Sequence, residues 1–185
     1  MRKWYKDYGI DNPEKLLTFI PINTRNLPTK IEELDLDNKA VGMKFELPLV
    51  ENFESAIKQS STSFKSIVSM PRVLAIDRMA SIMYYLPTFF TKKTFVDFYK
   101  RIDFGFTNVP LSKEPWYIWN KRVERFRAFA NIQHDMKIIL AAITYRDKLC
   151  LQMSAKNRMR MDPQKLLDYI VNNILDEIKL HAKNE

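Results

Sequence analysis

Residues 103–119 read Asp-Phe-Gly-Phe-Thr-Asn-Val-Pro-Leu-Ser-Lys-Glu-Pro-Trp-Tyr-Ile-Trp, and the fold turns on how they are read. Five aromatics crowd the stretch, and Gly105, Pro110 and Pro115 punctuate it. Phe104–Val109 suits a short strand, which Pro110 ends because proline has no N–H to give to a ladder. Trp116–Trp119 suits the start of a second strand, after a turn on Lys113-Glu114-Pro115. Asn108, uncharged and directly followed by Val109-Pro110, then points an amide into the space the two strands enclose. The plainer alternative is a strand end with a capping Asn.

Upstream of this stretch, Arg2–Tyr8 reads as the end of a helix that Gly9 stops, and Asp11-Asn12-Pro13 as a loop. Leu16–Ile22 is an unbroken apolar run of strand length, consistent with a buried strand. Asn23–Asp37 is a polar loop, and Met43–Leu47 alternates as a strand with one wet face, limited by Pro48. Apolar residues from Phe53 to Val68 recur at three- and four-residue spacing, an amphipathic helix that Pro71 terminates. Val73–Leu86 reads as a second helix, apolar on more than one side and broken by Pro87. Thr94–Arg101 reads as a short third helix with Thr94 as N-cap.

Downstream, Val123–Ala130 alternates charged and apolar residues, the pattern of a strand. Lys137–Tyr145 is apolar on both faces, as a central strand is. Arg146-Asp147 forms a two-residue turn into Lys148–Ser154, where Leu149, Leu151 and Met153 share a face; Asp is second choice to Gly in such a turn. Asp162 caps a last helix, with Pro163 at its first position and an apolar stripe from Leu166 to Ile178. The order predicts a mixed α/β fold, helices packed on one sheet, in a single domain spanning 1–185.

Composition narrows the function. With 185 residues, 46% hydrophobic and 12% aromatic, the chain can fold around a core of its own. The single cysteine excludes an internal disulfide and suits a reducing compartment. Met-Arg-Lys-Trp-Tyr-Lys-Asp lacks the apolar centre of a signal peptide. No stretch reaches the ~20 apolar residues of a spanning helix, and Ile82–Phe90 is interrupted by Pro87. An intracellular protein, soluble or peripherally bound to a membrane, is expected. The net charge of +8 favours acidic partners, although the basic residues are scattered and equally describe a solvated surface. Only Lys121-Arg122 and the Lys156…Arg158…Arg160 run are locally dense.

Several motifs, taken in register, resemble the second half of the wax ester synthase/diacylglycerol acyltransferase family. Thr107-Asn108-Val109-Pro110, Glu114-Pro115 and Trp116-Tyr117-Ile118 are similar to the family's Ser-Asn-Val-Pro-Gly-Pro…Glu-Pro-Leu-Tyr segment, with Leu111-Ser112 in place of Gly-Pro. Pro21-Ile22-Asn23-Thr24-Arg25, after the helix containing Arg2–Trp4, resembles its Pro-Val-Ser-x-Arg strand. Asn38 and the strand ending Leu47-Pro48 resemble its Gly-Asn-x-Val…Leu-Pro segment, with Asp37 for Gly. Tyr145-Arg146-Asp147-Lys148-Leu149 resembles its Ser-Tyr-x-Gly-x-Leu hairpin.

This resemblance implies the C-terminal half of a two-half fold of the chloramphenicol-acetyltransferase type. It also implies transfer of an acyl group from acyl-CoA, as co-substrate, to a fatty alcohol or diacylglycerol in a tunnel between the halves. By resemblance Arg25, Asn38, Thr107, Asn108, Val109 and Pro110 line that tunnel; from the residues alone, Arg25 is as well a strand-end surface arginine. The family's general base lies in a His-His-x-x-x-Asp-Gly motif of the other half. Neither of this chain's two histidines, His134 and His181, stands in that pattern. The isolated chain is therefore expected to be inactive, because proton removal from the acceptor hydroxyl needs a base within hydrogen-bond reach.

Other chemistries find no footing. Cys150 reads as a buried, inert thiol on a strand. No Cys/His cluster has metal-ligand spacing, three glycines offer no phosphate-cradling loop, and Glu32-Glu33 reads as solvated charge. No metal or covalently held cofactor is expected. A reading of a different class is a non-catalytic interaction subunit derived from such an acyltransferase. Nucleic-acid binding is disfavoured, because it asks for aromatics exposed on a basic sheet face, whereas Trp116, Tyr117 and Trp119 cluster at a turn.

A lone half should also expose apolar surface to a partner chain or a second copy. Two places are expected to carry it, the cluster Phe104, Phe106, Trp116 and Trp119, and the segment with Tyr84, Tyr85, Phe89 and Phe90. Anionic membrane or lipid-droplet surfaces are the other expected partners. The alternative is that these residues close a compact core.

Overall fold

The computed structural model describes residues 14–25, 39–100, 102–132, 136–156 and 162–182. The readings on Arg2–Tyr8, Gly9, Asp11–Pro13, Glu32-Glu33, Asn38, His134, Arg158 and Arg160 lie outside these residues. Among the described residues seven strands and four helices follow in the order β1 (Lys15–Asn23), β2 (Ala40–Pro48), α1 (Phe53–Ile67), α2 (Met70–Met83), α3 (Thr88–Tyr99), β3 (Phe104–Pro110), β4 (Tyr117–Ile118), β5 (Lys121–Arg122), β6 (Ile138–Tyr145), β7 (Lys148–Ala155) and α4 (Pro163–Ala182). The fold is α/β, with a five-stranded mixed sheet ordered β2-β1-β3-β6-β7. β1, β3 and β6 run parallel in its middle, and an antiparallel strand closes each side. Parallel neighbours need both faces covered, which explains the unbroken apolar run of β6, buried at seven of its eight positions.

Strand alternation sends side chains to two unlike faces. On the first face Leu16, Phe104, Ile138 and Leu140 pack with Leu166 of α4, which is fully buried. Next to them Ile20, Met43 and Phe45 meet Ile67, Val68 and Ile76 from the α1–α2 region. On the second face Ile102, Met136 and Ile139 meet Leu17, Phe19, Phe98 and Tyr99, together with Ala130 and Ile132. The last two come from residues 123–132, for which the alternation predicts a strand. Among the described residues that segment joins no ladder. Its inward residues Phe126, Ala128, Ala130 and Ile132 are half-buried and the residues between them exposed. Alternating burial is what any chain shows when it crosses an apolar surface in an open conformation, and here it lies over β6 instead of beside it.

Two helix boundaries differ from expectation for local reasons. Pro71 does not end α1 but sits in the first turn of α2, where its missing N–H has no helical partner to lose. α3 begins at Thr88, ahead of the expected Thr94, because the Pro87 carbonyl accepts the amides of Phe90 and Thr91. The Thr94 hydroxyl donates back to the Phe90 carbonyl inside the helix instead of capping it. In the β6–β7 turn the left-handed residue is Arg146, at φ 57°. Among the described residues two helix starts carry a side-chain cap, of which Asp162 is the one the sequence predicts. Asn52 caps α1 by accepting the Ser55 amide at 2.9 Å, and Asp162 caps α4 by accepting the Gln164 amide at 2.9 Å.

A crevice at the carboxyl ends of β1 and β3

The parallel ladder between β1 and β3 is short. It pairs Thr18 with Phe104 and Phe19 with Gly105, and stops there. β1 continues to Asn23 on β2 alone, while β3 continues on β6 alone, from Phe106 opposite Leu140 to Pro110 opposite Thr144. From Phe106 onward the flank of β3 that faces β1 therefore has no ladder partner among the described residues. Parting strands leave a crevice at their carboxyl ends, the place where open α/β sheets bind ligands.

Phe106 is the first residue past the ladder and packs against both first-face clusters, so it forms the apolar floor. By alternation Asn108 and Pro110 continue its row, and Thr107 and Val109 belong to the opposite row with Gly105. Burial falls outward along the strand. Phe104 and Gly105 are buried, Phe106 and Thr107 half-buried, and Asn108, Val109 and Pro110 exposed. The Asn108 side-chain amide makes no hydrogen bond to another described residue.

Across the crevice the end of β1 is tied down. The Thr24 amide donates to the Lys39 carbonyl at 3.0 Å, and its hydroxyl reaches Asp77 of α2 at 3.5 Å. Arg25 follows, half-buried, with its amide donating to the Asn23 side chain at 3.1 Å. Arg25 and Thr107–Pro110 thus stand at the ends of the two strands that part. Asn38, the remaining expected lining residue, lies outside the described residues.

The expected second strand does not enclose Asn108. Tyr117–Ile118 pairs with Lys121–Arg122 in a separate two-stranded hairpin, and Trp116 packs on Phe126 and Tyr145 at the end of β6. Leu111 and Ser112 lead the chain there, the first donating its amide to Thr144 and the second accepting that of Arg146. Asn108 consequently borders the β1 side. Phe106 as floor and Asp77 as anchor went unnoticed in the sequence. The signal for Phe106 was its place one residue before Thr107-Asn108 in an alternating strand; Asp77 carried none.

The other candidates stay apart from the crevice. Cys150 is half-buried on β7 opposite Ile143, not buried as expected. His181 falls in the last turn of α4. No group of three or more His, Cys, Asp or Glu among the described residues could hold a metal ion, and none of their helices is long and apolar enough to cross a membrane.

The family model described as the WS/DGAT C-terminal domain matches residues 38–179, from the approach to β2 to the last turns of α4. The match contains Thr107–Pro110 and excludes β1 with Arg25. Comparison with curated proteins and with solved structures returned no significant match.

Proposed function

The chain belongs to the wax ester synthase/diacylglycerol acyltransferase family through its C-terminal domain, and from that premise we propose that the β1–β3 crevice is one wall of an acyl-transfer channel. The observation that carries the reading is the early end of the β1–β3 ladder, beyond which β3, a strand of the matched acyltransferase-type domain, runs on without β1. It leaves an apolar floor at Phe106 beside an Asn108 side-chain amide that bonds to no other described residue. In this reading Phe106 and Val109 contact an acyl chain, and Thr107 and Asn108 offer hydrogen bonds to the thioester carbonyl or the acceptor hydroxyl. Arg25, Asn38 and the basic surface meet the phosphates of acyl-CoA or lipid headgroups.

The reaction needs a base that none of these residues is. An acceptor hydroxyl oxygen attacks the thioester carbonyl carbon, a base takes the hydroxyl proton, and the C–S bond breaks to release CoA thiolate, which takes up a proton. The His-His-x-x-x-Asp-Gly motif that serves the family is not among these 185 residues. We assign that role to a partner half, with acyl-CoA as donor and a fatty alcohol or diacylglycerol as acceptor.

The test is ester formation from long-chain acyl-CoA and hexadecanol. The 185-residue protein alone should give the no-protein rate, and adding a half that carries the histidine motif should give turnover that Asn108→Ala lowers at least tenfold. Turnover by the chain alone, abolished by His134→Ala, would instead make His134 the base. No turnover with any complementing half would leave the chain as a non-catalytic interaction subunit.

A further inference from the structure

Helices α2 and α3 are held to the sheet away from their connection, and the residues around that connection, the tip, are bare. Halfway along α2, Ile76 packs into the first-face cluster of Ile20, Met43 and Phe45. At the end of α3, Phe98 and Tyr99 pack with Phe19 on the second face. Lys44 of β2 secures that end, donating to the Phe98 carbonyl at 2.8 Å with its ammonium 4.6 Å over the Phe98 ring. The pair therefore passes from one face of the sheet to the other around β2, which is its edge strand. Ile76 lies about two turns from the connection and Phe98 nearly three, on the order of 10 and 15 Å at 1.5 Å per residue.

That tip carries Ile82, Tyr84, Tyr85, Leu86, Phe89 and Phe90, between 47% and 87% exposed. Monomers seldom leave so many large apolar side chains together in water. Charge says what they meet. From Arg78 to Val96 there is no carboxylate, while Arg78, Lys92 and Lys93 are all exposed. The flanking acids are already engaged: Asp77 accepts the Thr24 hydroxyl, and Asp97 is paired with Lys100 at 2.7 Å. Lys100 and Lys93 hold the Asp97 carboxyl below its usual range.

We propose that the α2–α3 tip docks on an anionic lipid surface, its aromatics entering the headgroup boundary and Arg78, Lys92 and Lys93 facing the lipid phosphates. Exposed apolar side chains need no matching cavity in a fluid interface, whereas a protein partner would have to supply one. Tyrosines with an apolar body and polar end, beside long basic side chains, suit that boundary. At 14 and 12 residues α2 and α3 are too short to span a bilayer, so the attachment is peripheral. The inference does not rest on the acyl-transfer reading of the crevice, which lies at the other side of β1.

The test is flotation of the full chain with vesicles of phosphatidylcholine, with and without phosphatidylserine. Binding should favour the anionic vesicles and weaken with salt, because each basic residue at the surface acts within a Debye length. Joint replacement Arg78→Ala, Lys92→Ala and Lys93→Ala should weaken it on the order of a hundredfold. Phe89→Ser with Phe90→Ser should weaken binding to both vesicle types. An environment-sensitive dye on Tyr85→Cys in a Cys150→Ser background should shift to the blue on anionic vesicles. Unchanged emission from a chain that floats with the vesicles would overturn the proposal. So would tip variants that bind lipid normally but lose self-association in light scattering, which would make the tip a protein contact.

Discussion

Tyr145 completes the hydrogen bonding of Trp116. The Trp116 amide donates to the Tyr145 hydroxyl at 2.8 Å, and that hydroxyl donates onward to the Val123 carbonyl at 3.1 Å. Val123 returns its own amide to the Trp116 carbonyl at 2.8 Å. An antiparallel pair of this kind normally exchanges two direct bonds; here the tyrosine is inserted into one of them. The β4–β5 hairpin is thereby fastened to the central strand β6 through a side chain that is 1% exposed.

Tyr145→Phe should therefore cost about 1–3 kcal/mol, since it strands a backbone donor and an acceptor while keeping the ring. Urea unfolding measures the loss. Amide exchange at Trp116 should quicken more than exchange in β6. A variant as stable as the wild type would mean that water takes the hydroxyl's place.

β3 should divide sharply between structural and ligand-facing positions. Phe104 is 7% exposed within the main cluster, so Phe104→Ala should cost about 3–5 kcal/mol. Asn108 is exposed, and Asn108→Ala should change stability by less than about 0.5 kcal/mol. Equal losses in thermal unfolding for both variants would remove Asn108 from consideration as a ligand-facing residue.

Gly42 is needed for space. A Cβ there would clash with the ring of Phe19, itself held between Phe98 and Tyr99. Gly42→Ala should cost about 1–3 kcal/mol by overpacking, and Phe19→Leu in the same chain should recover part of it. Additive losses in the double variant would locate the strain elsewhere.

The tip of the β4–β5 hairpin places Trp119 at φ 49° and Asn120 at φ 59°, both left-handed, with Trp119 94% exposed. Two-residue hairpin turns of this hand favour Asn-Gly. Trp119→Asn with Asn120→Gly should therefore raise stability by about 1 kcal/mol, read from the denaturation midpoint. A fall in stability would show that the indole makes contacts worth more than its backbone strain.

Burial pushes the Tyr99 phenol above its ordinary value of 10.0. The folded state thus holds its proton more tightly than the unfolded one. This contribution is complete below pH ~10 and is lost as pH rises through the folded value. Stability against pH should fall in that alkaline window, and less steeply for Tyr99→Phe, whatever the variant's stability at neutral pH. Parallel curves would exclude Tyr99 as the source.

What the sequence determined by itself is the local layer. Leu16–Ile22, Met43–Leu47 and Lys137–Tyr145 were legible as strands, and Asp162-Pro163 and the stripe from Leu166 marked α4, because side-chain periodicity and end residues act over a few positions. The Thr107-Asn108-Val109-Pro110 stretch marked where to look for the site. Only tertiary structure decided which backbone groups pair. The same alternation that made β2 a ladder strand left 124–132 outside every ladder of the described residues, because periodicity reports which side chains turn inward and not what lies beside the backbone. The crevice exists because β1 and β3, distant in sequence, share a ladder that ends at Phe19 and Gly105. Likewise Tyr84, Tyr85, Phe89 and Phe90 stand exposed as expected, while Phe104 is buried and Phe106 half-buried in the sheet. Aromatic content is set by the chain, but burial depends on whether another element arrives to cover it.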